Sequence, residues 1–263
     1  MSFETNHWQA LLEFTQARIA IGRAGTSLPT HYLLNFRLEH AKARDAVYTN
    51  LDTTKIKGDL KIDLPCLELH SQATDRLDYL KNPTCGRKLE EQSVQILEQA
   101  MSSKSANIDK WDNENNDKKK EKVVFVVADG LSATAVNTHS AHLLNKVIPY
   151  LQEKRWHIAP ICFVEQGRVA SADEVAALLQ ATIAVMLIGE RPGLSAADSL
   201  GIYITFQPAI GITDEKRNCI SNVRPEGLDY EQATAKLIYL LEAIHAKQLS
   251  GVQLKDEQNF YIS

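Results

Sequence analysis

The residues best placed to do chemistry stand just after apolar runs. Asp129-Gly130-Leu131-Ser132 follows the run from Val123 to Ala128. Glu165-Gln166-Gly167-Arg168-Val169 follows Ile158 to Val164, and Gly189-Glu190-Arg191-Pro192-Gly193-Leu194 follows Ile183 to Ile188. Each stretch joins a glycine, which lets a ligand come close to backbone, to polar or charged side chains such as a carboxylate that accepts hydrogen bonds. Cys219 adds a thiol further on. Each feature also has a plainer reading. Glycine serves tight turns with or without a ligand, and Asp129 is a good helix cap. Glu190 and Arg191 make a solvated ion pair of little energetic worth, and Cys219 is an inert buried thiol. Singly the residues favour the plain readings; together the three turns favour a pocket. No Ser-His-Asp order or carboxylate pair names a catalyst, so no catalytic residue is assigned.

The elements that must position these turns follow from hydrophobic pattern. Val123 to Ala128 is continuous, apolar and β-branched, as expected of a strand buried on both faces. Ile158 to Val164 and Ile183 to Ile188 read as further strands, and Ile202 to Phe206 as a fourth. Helices are expected over Ala135 to Leu151, Ala172 to Gln180 and Tyr230 to Leu249. Alternation at this spacing predicts an α/β fold, a mostly parallel, three-layer Rossmann-like sheet. Ligands of such sheets bind outside the carboxyl ends of the strands, where the three turns converge.

Residues 1–101 read as a smaller, mainly helical domain. His31 to Val47 carries Leu34, Leu38 and Ala41 on a helical stripe after Pro29, a good first-turn residue. Gly86 to Ala100 repeats the pattern with Leu89, Val94 and Leu97, and Ile62 to Leu69 predicts a short strand between them. Phe3, Trp8, Leu11, Leu12 and Phe14 read first as a core helix, with a short amphipathic helix as the alternative. Residues 102–122 are rich in Asn, Asp and Lys and read as a linker or surface loop. Residues 123–263 form the α/β domain.

Composition excludes several classes. The chain has 263 residues, with 29 Lys+Arg against 33 Asp+Glu and a net charge of −4. That balance argues against a nucleic-acid partner. No apolar run is long enough for a transmembrane helix, and the first residues lack the pattern of a signal peptide. Cys66, Cys85, Cys162 and Cys219 fit no zinc spacing, so no metal site is assigned and the thiols are read as reduced, cytosolic and mostly buried. Dinucleotide, Walker, zinc-protease and nucleophile-elbow motifs are absent.

The ordered motifs carry a resemblance. The chain has Ala17-Arg18-Ile19 followed by Gly22-Arg23-Ala24-Gly25-Thr26-Ser27-Leu28-Pro29-Thr30, then His40-Ala41-Lys42-Ala43-Arg44-Asp45-Ala46-Val47. Tyr79-Leu80, Pro83 and Gly86-Arg87-Lys88-Leu89 come next. The second half has Ala128-Asp129-Gly130-Leu131-Ser132-Ala133, Gly167-Arg168-Val169-Ala170 and Ile188-Gly189-Glu190-Arg191-Pro192-Gly193-Leu194-Ser195. Arg217-Asn218-Cys219-Ile220-Ser221-Asn222, Arg224-Pro225-Glu226-Gly227-Leu228 and Leu249-Ser250-Gly251-Val252 complete the set. In this order the motifs resemble the small (light) subunit of ethanolamine ammonia-lyase, with residues 102–122 as a variable insertion.

The resemblance implies an adenosylcobalamin-dependent lyase that converts ethanolamine to acetaldehyde and ammonia. It implies a large-subunit partner, a TIM barrel holding the substrate, in a hetero-oligomer of six of each subunit. It implies cobalamin contacts at Val169, Glu190 and Cys219. No Asp is followed two positions on by His, so the cofactor's own base is expected to stay on cobalt. Residues 1–101 are the candidate contact with the partner. Cytoplasm is the first expectation for location and a bacterial microcompartment the second, because only sixteen residues precede Ala17-Arg18-Ile19. Two rivals remain: a stand-alone α/β binding or hydrolase domain with its site at the Asp129 turn, and an assembly subunit without cofactor contact.

Overall fold

The computed structural model describes residues 7–15, 17–108 and 121–255. A 3-10 turn over His7–Glu13 precedes α1 (Thr30–Tyr48), α2 (Thr53–Asp59), β1 (Cys66–His70), α3 (Arg76–Lys81) and α4 (Glu91–Ile108). Then come β2 (Lys122–Ala128), α5 (Ala133–Glu153), β3 (His157–Ile158), β4 (Ile161–Glu165), α6 (Ser171–Leu178) and β5 (Ile183–Gly189). The chain continues through β6 (Leu200–Phe206), β7 (Arg217–Val223) and α7 (Tyr230–Lys247).

The strands form one seven-stranded sheet in the order β1-β4-β2-β5-β6-β7, with β3 pairing β2. Strands β1, β4, β2 and β5 are mutually parallel. β6 runs antiparallel to both β5 and β7. The mostly parallel α/β sheet expected from the sequence is thus present, with one reversed strand that hydrophobic pattern alone does not reveal.

Alternation along β2 explains the three layers. Val123, Phe125 and Val127 pack with Val136, Leu144 and Ile148 of α5 and Leu237 and Leu241 of α7. Val124 and Val126 face the other way, onto Leu97 of α4 and Val175 and Ala176 of α6. Both faces are covered, so the strand is apolar at every position, the sequence signature of a central parallel strand. Outgoing connections from β2 and β5 leave in opposite directions along the sheet. The crevice between these strands is therefore its topological switch point.

The early segment contributes directly to this sheet. β1 is an edge strand paired with β4 from Cys66↔Ile161 to His70↔Glu165, and Leu51 and Ile56 enter the main core. α4 continues to Ile108, so the first residues of the polar 102–122 stretch are helical; 109–120 lie outside the described residues.

Two stretches near the start of the chain expose their apolar side chains. The 30–48 helix forms, but Leu34 and Leu38 are 57% and 55% exposed, and Ala46 is its one buried residue. The expected helix and its apolar stripe are thus present, with the stripe uncovered within this chain. The first core helix expected near the N-terminus needs correction: Trp8, on the 3-10 turn His7–Glu13, and Phe14, just after it, are 66% and 83% exposed; Phe3 lies outside the described residues. Periodicity reports an apolar stripe but not what covers it.

Candidate functional site

The three strand-end turns do converge, and backbone contact holds them. Gly130 has φ +56, and a Cβ there would fall 2.4 Å from both the Gly189 carbonyl oxygen and Ile188 Cγ1. Leu131 N donates to the same Gly189 carbonyl at 2.9 Å. Glycine is needed here because the turns after β2 and β5 touch through main chain.

Asp129 ties the β2 turn to the β4 turn. It is 2% exposed, and its Oδ1 accepts from Gly130 N at 3.0 Å and Gly167 N at 3.2 Å. Its Oδ2 lies 3.2 Å from Arg76 Nη1. Burial pushes the carboxyl up to about 6, against the pull of Arg76 and the N–H donors. Asp129 does not cap the following helix; Ser132 does, its side chain accepting from Ala135 N. Asp129 and Ser132 are both buried, so the turn offers a solvent-borne substrate neither a nucleophile nor a base. This speaks against the stand-alone hydrolase with Asp129 at its site.

Arg76, which pattern reading missed, braces the same region from α3. Its Nε donates to the Val47 carbonyl at 2.6 Å and its Nη1 to Gln166 Oε1 at 3.2 Å. Tyr79 is sandwiched nearby: the guanidinium carbons of Arg76 and Arg168 lie 4.7 and 4.4 Å from its ring centre. Such stacking needs α3 and the β4 turn side by side, which sequence spacing does not show.

Glu190 and Cys219 flank Tyr203, another residue not singled out from sequence, and Val169 shares a cavity with it. Val169 and Tyr203 line one cavity of about 810 Å³, together with Arg87, Lys88, Arg168, Glu174 and Ile210 to Asp214. That is within the usual range for small-molecule sites. Cys219 is opposite Tyr203 in the β6–β7 register. It is exposed rather than buried, and its Sγ lies 3.2 Å from Ser221 Oγ. Glu190 reaches the group from the other end of β6. A Cβ on Gly201 would stand 3.1 Å from Glu190 Oε1 and 3.3 Å from the Tyr203 ring. Burial first, then the Cys219 and Glu190 side chains, push the Tyr203 hydroxyl up to about 12. Tyr203 therefore stays a neutral phenol, offering an aromatic face and a hydrogen-bonding tip.

Glu190 is half-buried and does not pair with Arg191 as the plain reading expected. Its Oε2 accepts from Ser199 Oγ, and from Asn222 N at 3.3 Å. This holds the carboxylate between the β5 turn and the end of β7. Oε1 has no hydrogen bond from the described residues.

Arg217 of β7 is buried, and Nη1 and Nη2 each donate at 2.7 Å to the two oxygens of Asp173 on α6. This fork fixes the start of the polar strand that carries Cys219. Among the described residues no disulfide forms: Cys162 is buried, and Cys66 and Cys85 are half-buried.

Comparison with known proteins agrees with the motif reading. The model of the ethanolamine ammonia-lyase light chain family matches residues 5–255. The ethanolamine ammonia-lyase small subunit of Pseudomonas fluorescens (strain Pf0-1) is 47% identical over 253 residues, 96% of this chain and 88% of that protein. That of Pseudomonas putida (strain W619) is 49% identical over 253 residues with the same coverage. That of Ralstonia nicotianae is 48% identical over 252 residues, 95% of this chain and 88% of the relative. With a family model spanning nearly the whole sequence, and relatives aligned along the same length, this chain belongs to the ethanolamine ammonia-lyase light chain family and is a component of a lyase.

Proposed function

We propose that this chain closes one side of an adenosylcobalamin site while the large subunit holds ethanolamine. The observation that carries this reading is that Tyr203, flanked by Glu190 and Cys219, lines the same cavity as Val169. The group fits a corrinoid chemically. Val169, Tyr203 and Ile212 give the cavity an apolar wall, suited to a ring edge. Glu190 Oε1 is left to accept from amides of the ring's rim, and Cys219 packs as a small, soft group. When bound, the cofactor supplies radicals by cleavage of its cobalt–carbon bond; this chain supplies binding, orientation and exclusion of water.

A partner is part of the proposal. Ile210, on the rim of the cavity, is 72% exposed, so a second surface is needed to seal radical chemistry from solvent. The apolar N-terminal face, with Phe14, Leu34 and Leu38 exposed, is the contact we assign to the large subunit in a hetero-oligomer, since such patches mark protein interfaces.

The test is Glu190→Ala in the two-subunit enzyme. Removing the acceptor leaves buried donors unpaired, which raises the apparent KM for adenosylcobalamin roughly five- to a hundredfold. The KM for ethanolamine moves far less. Circular dichroism checks the fold first, because Glu190 also holds Ser199 and Asn222. A folded variant with an unchanged cobalamin KM, or an equal rise in both constants, overturns the assignment.

A further inference from the structure

We propose that the cationic wall of the cavity, formed by Arg87, Lys88 and Arg168, receives the phosphodiester of the cofactor's nucleotide tail. The inference rests on the cobalamin reading of the adjoining Val169–Tyr203 wall and extends it to a part of the ligand that Val169, Glu190 and Cys219 do not address.

Two glycine turns bring these cations together from distant parts of the chain. Gly86 is buried, and a Cβ on it would come within 3.0 Å of the Gln166 carbonyl oxygen, Arg168 Cγ and Tyr79 Cδ2. Arg168 N donates to the Gly86 carbonyl at 2.8 Å, and Gln72 N to the Lys88 carbonyl at 2.9 Å. The Gly86-Arg87-Lys88 stretch is thereby stitched both to the turn bearing Val169 and to the segment leaving β1. Arg87 and Lys88 are exposed, and among the described residues no ion pair uses Arg87, Lys88 or Arg168. Arg168 is oriented by stacking on Tyr79 and by donating Nη2 to the Tyr79 carbonyl at 2.9 Å. Its Nε is buried without a hydrogen-bond partner.

The cavity's carboxylates are already engaged. Glu174 Oε2 accepts from Leu89 N at 2.7 Å, and Asp214 Oδ1 from Arg217 Nε at 3.2 Å. One cavity thus has an apolar wall and three cations that, among the described residues, make no ion pair, against the two carboxylates of Glu174 and Asp214, so it keeps an excess of positive charge. A ligand that satisfies both has a bulky body with an anionic appendage. Cobalamin has that form: a ring with neutral amides on its rim and a single phosphodiester on its tail. Guanidinium is the side chain best matched to phosphate oxygens.

The test is equilibrium corrinoid binding to the two-subunit enzyme, read by the absorbance change. The probes are cyanocobalamin, cobinamide, which lacks the phosphate, and cobinamide phosphate, which keeps it. Wild type should bind cobinamide phosphate about tenfold more tightly than cobinamide. The Arg87→Gln/Lys88→Gln double variant should bring that ratio to about one and leave cobinamide affinity unchanged. A wild-type ratio near one overturns the proposal and needs no variant. A ratio that survives in the double variant, or an equal loss for both probes, also overturns it. Cyanocobalamin bound normally alongside any of these leaves the cofactor reading intact; wild type that binds no corrinoid overturns both.

Discussion

Burial and charge pairing pull the Asp129 carboxyl in opposite directions, and the balance is measurable. Burial raises it from the ordinary 3.8 to about 6, despite Arg76 and the backbone donors. A shift of about two units corresponds to about 3 kcal/mol between the two protonation states. The folded chain therefore holds this proton where the unfolded chain has released it. The stability from this group is full below pH 3.8 and is lost as pH rises through about 6. Asp129→Asn has no such proton, and its amide oxygen still accepts from Gly130 and Gly167. Wild type should lose about 3 kcal/mol relative to Asp129→Asn across that window, with no further relative change above it. Urea denaturation of both proteins across the pH range gives the difference. A flat difference refutes the reasoning. One that favours wild type as pH rises would mean that Arg76, at 3.2 Å, outweighs burial.

Further outcomes follow from other contacts. Asp173→Ala removes the buried carboxylate that forks with Arg217 and leaves it only the exposed Asp214 as a counter-ion, so it should cost about 3 kcal/mol in chemical denaturation. Cys219, the exposed thiol, should react first with iodoacetamide and buried Cys162 last. Adding the large subunit and cyanocobalamin should protect Cys219, and unaltered labelling would remove it from the cofactor site. Phe14→Ser with Leu34→Ser should weaken association with the large subunit at least about tenfold. The thermal midpoint of the isolated chain should hardly move, because both side chains already face solvent.

Local sequence determined the centre of the sheet. Val123–Ala128 and Ile183–Ile188 are buried on both faces, so every position is apolar and the strands are visible without knowledge of their neighbours. The glycine turns after them were legible for the same reason, since a turn must follow a buried strand. Motif order along the chain pointed to the family and to Val169, Glu190 and Cys219. Tertiary structure decided what depends on contacts between distant segments. The polar edge strand Arg217–Val223 has no continuous apolar run and forms because β6 pairs with it and Asp173 satisfies Arg217. Tyr203 gains its place only when β6 reverses direction, setting it opposite Cys219 and on the cavity wall. Arg76 reaches Asp129 across 53 residues of chain, and Gly86 meets Arg168 across a longer interval. Periodicity reports which face of an element is apolar; it has no information on which remote segment packs there. That is why the stripe of α1 was legible but its exposure was not, and why the residues that brace the site appeared only in the folded chain.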